Sequence, residues 1–427
     1  MNILMLTNTY LPFVGGVERS VEQFSRELRG LGHGIKIVAP SYRNFSETDH
    51  NVVRVAAIQQ FNGTDFSVQF PIPGAIKRTL KSFVPDIIHS HHPFMLGDSA
   101  LRLAAKYRIP IVFTFHTYYE RYTHYVPGNS PAIKRFVTAL ATGYANLCDV
   151  VIAPSYSVAA EIRRRGVASP IEVVPTGITL AEFSAGDGRE FRKMSGIPQE
   201  AFLVGFISRL AQEKNIQFLI EAVSSFLLKN KRAHFLVVGD GPCRDLTIAA
   251  FTSTDLADRF HYCSTLHGKK LIDAYHALDV FAFASCTETQ GLVLTEALAS
   301  GVPVVALDVE VVAEIVEDGC NGKLVREADT EAFSNALGWI CGCSPTKKRR
   351  IKESCYATAC AYDSKLCAVK VEKLYKDLTA AKFVFRERKE SSWEKTMRLI
   401  KAEFELVKNM TRATGAAMGE RREGGWT

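Results

Sequence analysis

Arg209, Lys214, Asp240, Glu288, Gln290 and Glu296 stand in the second half of the chain at spacings suited to holding a phosphorylated, hydroxyl-rich molecule. In the string GFISRLAQEKN (205–215) an apolar run ends by presenting Arg209 and then Lys214. Two cations at the carboxyl end of a strand can neutralise a diphosphate, whose charge grows as it departs. An ordinary surface loop is the alternative. The string VVGDGP (237–242) again runs a strand into a glycine turn, at Gly239 and Asp240, and reads equally well as only a turn. The most specific segment is SCTETQGLVLTEALASGVP (285–303). Glu288 precedes a helix beginning near Leu292, where it can touch sugar hydroxyls, and Glu296 on that helix can accept both ribose hydroxyl protons. Amides around Gln290, Gly291 and Leu292 then face phosphate.

The first half offers a different set. Gly15 and Gly16 sit where the first strand turns into a helix, so their amides can approach a diphosphate unshielded by any Cβ. The G-x-G-x-x-G spacing is absent, which counts against dinucleotide oxidoreductases. The string HSHHP (89–93) ends one strand and FTFHTYYERYTHY (113–125) ends the next. His-x-His-His invites a metal reading, but no cysteine or acidic third ligand is nearby, and no metal is expected. We place His91, Tyr118, Tyr122 and His124 on the acceptor side of a substrate cleft, with a structural role for most of the tyrosines.

Positioning such residues requires strands that all end toward them. Short apolar runs at 3–6, 35–39, 52–55, 87–90, 111–114 and 150–153 alternate with amphipathic stretches, the signature of a parallel sheet covered on both faces. The segment 17–31 carries Val17, Val21, Phe24 and Leu28 on one helical face and stops at Gly30 and Gly32. A second series follows at 203–206, 235–238, 260–262, 280–284 and 304–307, and the Pro- and Gly-rich stretch 170–188 reads as the linker. The fold class expected is α/β, two Rossmann-like domains facing across a cleft, with a helical C-terminal extension. The boundaries read as 1–172 for the acceptor domain, 173–360 for the donor domain, 361–380 for a crossover helix returning to the first domain, and 381–427 for a basic amphipathic tail.

The bulk numbers agree with a large folded protein of two domains. The 427 residues exceed what one core organises, and 47% hydrophobic with 23% charged residues is ordinary for globular chains. Lys and Arg exceed Asp and Glu by 52 to 45, which suits anionic ligands or lipid but is no nucleic-acid footprint. Ten cysteines begin only at Cys148 without C-x-x-C pairs and read as reduced thiols. The N-terminus reads as a strand rather than a signal peptide, and no run of eighteen apolar residues occurs, so a cytoplasmic protein is expected.

The strings at 205–215, 238–242 and 285–305, with Glu288 and Glu296 eight apart, resemble family 4 of the retaining glycosyltransferases, which have the GT-B fold. The similarity covers roughly residues 1–375. It implies that Arg209 and Lys214 hold the donor diphosphate, Glu296 the ribose and Glu288 the transferred sugar, that Gly15 and Gly16 approach the phosphates, and that His116 hydrogen-bonds that sugar. It also implies that no metal or other cofactor is needed. The 116–125 string and Gln290 are similar to diacylglycerol glucosyltransferases, which points to UDP-glucose as donor, with GDP-mannose next, and to a lipid acceptor. Sugar-nucleotide 2-epimerases on the same fold and a catalytically silent sugar-nucleotide scaffold are the rival readings.

Two amphipathic stripes bear on an anionic membrane surface. In the tail, Trp393, Met397, Ile400, Phe404 and Val407 are flanked by Lys395, Arg398, Lys401 and Lys408, but Glu394, Glu403 and Glu405 dilute the charge, so packing against the protein body is the expectation there. Ile133, Phe136, Val137, Leu140, Tyr144 and Leu147, with Lys134 and Arg135 at the start, are instead assigned to the membrane.

Overall fold

The computed structural model describes residues 1–43, 45–58, 68–69, 76, 78–123, 130–387 and 390–419. It divides into two compact units, one formed by Met1–Thr176 with the chain from Cys367 onward, the other by Gly177–Leu366.

Among the described residues the first unit contains a seven-stranded parallel sheet of β1 (Asn2–Leu6), β2 (Gly34–Pro40), β3 (Val52–Val55), β4 (Ile87–Ser90), β5 (Ile111–Thr114), β6 (Val150–Ala153) and β7 (Ile171–Val173). Its order is β3-β2-β1-β4-β5-β6-β7. Successive residues of a strand face opposite sides, and both sides of this sheet are covered. Leu4, Leu6, Val38, Ile88 and Phe113 therefore enter one core while Ile3, Met5, Ile37, Ile87 and Val112 enter another. The second core is closed by Val21, Phe24 and Leu28 of α1 (Gly16–Gly30), the stripe expected from their spacing. It also takes Cys367, Val371 and Tyr375 from a helix more than two hundred residues away in sequence.

The second unit carries, among the described residues, a six-stranded parallel sheet. Its strands are β8 (Phe202–Ile207), β9 (Ala233–Val238), β10 (Phe260–Cys263), β11 (Val280–Phe283), β12 (Val304–Leu307) and β13 (Gly322–Val325), in the order β10-β9-β8-β11-β12-β13. The architecture is thus α/β with two Rossmann-like units and a helical C-terminal extension. Besides the short antiparallel pair Ala57–Ile58 and Val68–Gln69, two strands were not legible in the sequence, β7 and β13. Both are sheet edges, where the exposed Glu172 and the half-exposed Lys323 break the apolar run.

The chain leaves the first unit at Thr176–Gly177 and re-enters it at Leu366–Cys367. The two passages are laced together: Ile178 N donates to Tyr362 O and Ser364 N donates to Ile178 O. Gly177 allows this approach, since a Cβ there would fall 2.2 Å from Ser364 Cα.

The C-terminal extension corrects both readings of the amphipathic stripes. We label α2 (Leu96–Tyr107), α3 (Pro131–Ala145), α4 (Ile216–Lys229), α5 (Leu292–Ala299), α6 (Pro345–Cys360), α7 (Ser364–Glu387) and α8 (Ser392–Met418). Leu140 and Tyr144 of α3 are core residues, and α8 lies along the neighbouring face, with Asn409 buried against Gly143. Arg135 donates to the carbonyls of Ala416 and Ala417 at the end of α8, capping that helix. This helix is therefore largely a packing element, because a stripe flanked by sheet and helix on adjoining sides has little face left for lipid. The tail stripe is the reverse: Trp393, Met397, Ile400, Phe404 and Val407 are all exposed.

Candidate active site

In each sheet the strand order reverses beside the first strand of its unit, between β1 and β4 and between β8 and β11. Such a point opens a crevice at the carboxyl ends of the strands, the usual ligand position in open parallel sheets. Most of the described residues singled out by sequence follow these strand ends, and Glu296 lies on the helix after β11.

In the second unit, β8 ends at Ile207 and the chain passes through Arg209 into a 3₁₀ turn, Gln212–Lys214. Asn215, in the left-handed region at φ 56°, then starts α4 at once. Lys214 Nζ donates to Glu288 Oε1 at 2.5 Å, and both side chains are about four-fifths buried, at 15% and 16% exposure. The cation expected at the diphosphate and the carboxylate expected at the sugar are thus one ion pair joining the β8 and β11 loops. Arg209 is more exposed and is paired with the buried carboxylate of Glu213. Backbone amide donation and Arg209 hold that carboxyl below its ordinary range against the opposing effect of burial. Ser285 Oγ and Thr287 Oγ1 donate to Glu213 O, tying the β11 loop to the same turn.

Glu296 on α5 is buried and accepts from Tyr275 Oη at 2.7 Å. Gly291 precedes α5 at φ 77°, a conformation that glycine adopts without a Cβ clash. It turns the first amides of the helix toward the crevice, next to the buried Gln290. The β9 turn is also glycine-dependent. Gly239 lies at φ 143°, and a Cβ there would fall 2.0 Å from Ser208 O. Asp240 O accepts from Leu210 N at 2.8 Å, so the Asp240 backbone fixes the loop that carries Arg209, while its carboxylate is exposed.

In the first unit, four buried histidines gather at the ends of β4 and β5. His91 Nδ1 and His116 Nε2 are 2.9 Å apart with their rings stacked. His89 bonds Thr114 Oγ1 through Nε2 at 2.6 Å and Tyr375 Oη through Nδ1 at 2.5 Å. His92 Nδ1 accepts from Asn8 N at 3.0 Å. Burial pushes His89, His92 and His116 down to about 3, and the mutual repulsion of neighbouring imidazoles deepens this for His89 and His92. His91 is lowered too, again chiefly by burial. The four rings are neutral at pH 7, so the cluster works by hydrogen bonding and not by charge. Five of its nitrogens, His89 Nδ1 and Nε2, His91 Nδ1, His92 Nδ1 and His116 Nε2, are engaged with protein partners in a way a shared metal would have to undo. His91 Nε2 is buried and without a partner among the described residues.

Gly15 stands just before α1 in an extended conformation, and the first amides of the helix follow it. Glu18 folds back over this turn, bonded to Thr9 Oγ1, and its burial raises the carboxyl above its usual range. A Cβ on Gly15 would fall 2.7 Å from Glu18 Oε2, whereas Gly16 has open space. Tyr118 is buried, with the guanidinium groups of Arg121 and Arg165 4.6 and 4.8 Å from its ring centre. Tyr122 is half-buried in the same turn, and Tyr119 leaves a buried hydroxyl without a partner among the described residues. His124 lies outside the described residues.

Four positioning residues escaped the sequence reading. Glu213 carries the faint signal of standing four residues after Arg209. Glu18, Tyr275 and Tyr375 carry none, since each is defined by a partner that only folding supplies.

Residues 14–182 match the family described as Glycosyltransferase Family 4, and residues 201–342 match Glycosyl transferases group 1. The chain is 28% identical over 335 residues to an alpha-monoglucosyldiacylglycerol synthase of Acholeplasma laidlawii, covering 75% of this chain and 84% of that protein. It is 28% identical over 351 residues to a GDP-mannose-dependent alpha-mannosyltransferase of Corynebacterium glutamicum, covering 80% of each. The crystal structure of Anabaena HepE in complex with UDP superposes with a TM-score of 0.69 at 20% identity, over 88% of this chain and 100% of that one. With the paired cation and carboxylate and the two parallel sheets, these matches place the chain in the family 4 glycosyltransferases of GT-B fold. It is an enzyme of glycosyl transfer.

Proposed function

We propose that the protein transfers glucose from UDP-glucose to a lipid hydroxyl, that of diacylglycerol or a close analogue, at the cytoplasmic surface of an anionic membrane, without a metal and with retention of configuration. The observation that carries the proposal is the Lys214–Glu288 pair, which sets a phosphate-binding cation against a carboxylate able to accept from sugar hydroxyls. The likeness to a glucosyl-diacylglycerol synthase supplies the acceptor class. No helix among the described residues is long and apolar enough to cross a membrane, so contact with lipid has to be peripheral in this reading.

In the reaction the bond from the anomeric carbon to the donor phosphate oxygen breaks, and the lipid hydroxyl oxygen bonds that carbon on the same face. The hydroxyl proton passes to the departing phosphate oxygen, giving UDP and a glucosyl lipid. Lys214, Arg209 and the α5 amides stabilise the growing phosphate charge. Glu288 orients the sugar, and Glu296, held by Tyr275, takes the ribose.

The test supplies UDP-glucose or GDP-mannose with dioleoylglycerol in vesicles and separates the lipid products. An alpha-linked glucosyl lipid from UDP-glucose is expected. A beta linkage refutes retention, and product from an oligosaccharide but never from lipid refutes the acceptor. GDP-mannose is the second reading, favoured by the mannosyltransferase relative, and product from that donor alone would establish it.

A further inference from the structure

We propose that the solvent face of α8 is the surface by which this enzyme docks on an anionic bilayer, its apolar stripe entering the lipid and a basic flank meeting the headgroups. The proposal rests on the glycolipid reading above and names the element that performs its membrane step.

The stripe is fixed outward. On the opposite face of α8, Ala413 is fully buried and Asn409 Nδ2 donates to Leu140 O at 3.1 Å. A Cβ on Gly143 would fall 1.8 Å from Asn409 Oδ1, so the space left by the missing side chain of Gly143 is filled by Asn409. Arg102 adds a charged bond to Glu403, and Arg135 caps the far end through Ala416 and Ala417. Turning the helix to bury the stripe would break all of these contacts. Trp393 remains 71% exposed and Phe404 60%, with Met397, Ile400 and Val407 between and beside them. From first to last the stripe runs roughly 21 Å at the helical rise. Scattered apolar side chains need no explanation, but a continuous row of this length on one helix marks an interaction surface.

Charge selects the occupant. Lys401, Lys408 and Arg412 follow one another at spacings of seven and four, which puts them on a single flank of the stripe. Of the three glutamates of this helix, Glu405 engages Lys408 itself, so Lys401 and Arg412 are the exposed cations that the flank offers. Glu394 closes the capping box with Ser391, Glu403 pairs with Arg102, and Glu405 lies 3.7 Å from Lys408. Arg398 is likewise bound to Glu390. Lysine stems beside an apolar face extend their ammonium groups to the interface while their methylenes stay against lipid, and Lys408 already lies near the Phe404 ring. An apolar row bordered by exposed cations is complementary to acidic lipid.

The full chain is sedimented with phosphatidylcholine vesicles containing or lacking 30 mol% phosphatidylglycerol. The wild type should bind the acidic vesicles at least tenfold more tightly. Ile400→Glu with Phe404→Glu should lower that affinity at least tenfold, and Lys401→Glu with Arg412→Glu should remove the preference for acidic lipid. Both variants should bind UDP-glucose and keep the wild-type Tm, because the altered side chains face solvent. Each should also glucosylate a short-chain, water-soluble diacylglycerol at the wild-type rate. Wild-type vesicle binding by the Ile400/Phe404 variant overturns the proposal, as does lipid-free dimerisation of the wild type that this variant abolishes. If the wild type binds vesicles through α8 yet glycosylates no diacylglycerol, soluble or membranous, the glycolipid reading has failed and the docking surface stands.

Discussion

Lys214→Ala offers a way to separate folding from catalysis, because Lys214 balances a largely buried carboxylate in the free enzyme. Its Nζ lies 2.5 Å from Glu288 Oε1, and Glu288 is only 16% exposed. Removing one partner of a fully buried pair costs about 3–5 kcal/mol. Residual exposure lowers this to about 2 kcal/mol, a Tm drop of roughly 4–8 °C in a domain of this size. The catalytic cost is separate, since losing one donor to a growing oxyanion takes about 3 kcal/mol, on the order of a hundredfold in kcat. Adding Glu288→Gln removes the stranded charge while restoring nothing at the phosphate. The double variant should therefore recover most of the Tm, while kcat stays at least a hundredfold below wild type. Differential scanning fluorimetry and initial-rate assays with UDP-glucose measure the two quantities. Unchanged Tm in Lys214→Ala would show that the pair carries no stability. Recovery of turnover to within about threefold of wild type in the double variant would remove Lys214 from the chemistry.

The histidine cluster makes stability acid-sensitive in a calculable direction. His89, His92 and His116 titrate near 3 in the folded chain against 6.5 ordinarily, so the unfolded chain binds more protons and stability is lost as pH falls below about 6.5, down to about 3. Each histidine contributes a slope of about 1.4 kcal/mol per pH unit, and urea melts at pH 7, 6 and 5 should show a shallower fall in His89→Gln. Gly239→Ala should destabilise by a few kcal/mol or prevent folding, since φ 143° and a Cβ 2.0 Å from Ser208 O are both unfavourable. A thermal melt within 2 °C of wild type, roughly half a kilocalorie, would contradict the close approach. EDTA should leave turnover intact, because in the proposed site Arg209, Lys214 and the α5 amides meet the diphosphate in place of a metal. Loss of turnover restored by manganese or magnesium would return a metal to the mechanism.

The strings around Arg209, Lys214, Glu288 and Glu296 were legible because a ligand at the end of a parallel strand is served by consecutive local residues. What the local pattern lacked was the partner of each one. Glu213 orients Arg209, Tyr275 holds Glu296, and Tyr375 reaches His89 across 286 positions in the chain. The amphipathic stripes show the same limit. Spacing identified an apolar face on both the 131–145 helix and the tail helix, yet it did not show that Leu140 and Tyr144 of the first are buried or that the stripe of the second faces solvent while its other side packs on the protein. A hydrophobic period states that one face is apolar and is silent about what covers it. Of the glutamates that diluted the tail's charge along the chain, Glu403 is paired with Arg102 of another helix, a contact that only folding supplies, whereas Glu394 and Glu405 bond within the tail helix itself.

By itself, then, the sequence determined the α/β class, the buried strands and the turns that place cations, carboxylates and glycines at strand ends. These follow from periodicity and backbone sterics, which act over a few residues. Tertiary structure alone decided which charges are paired, which imidazoles are neutral and which side of the last helix meets water. Those depend on desolvation and on contacts between segments hundreds of residues apart, and no local pattern encodes them.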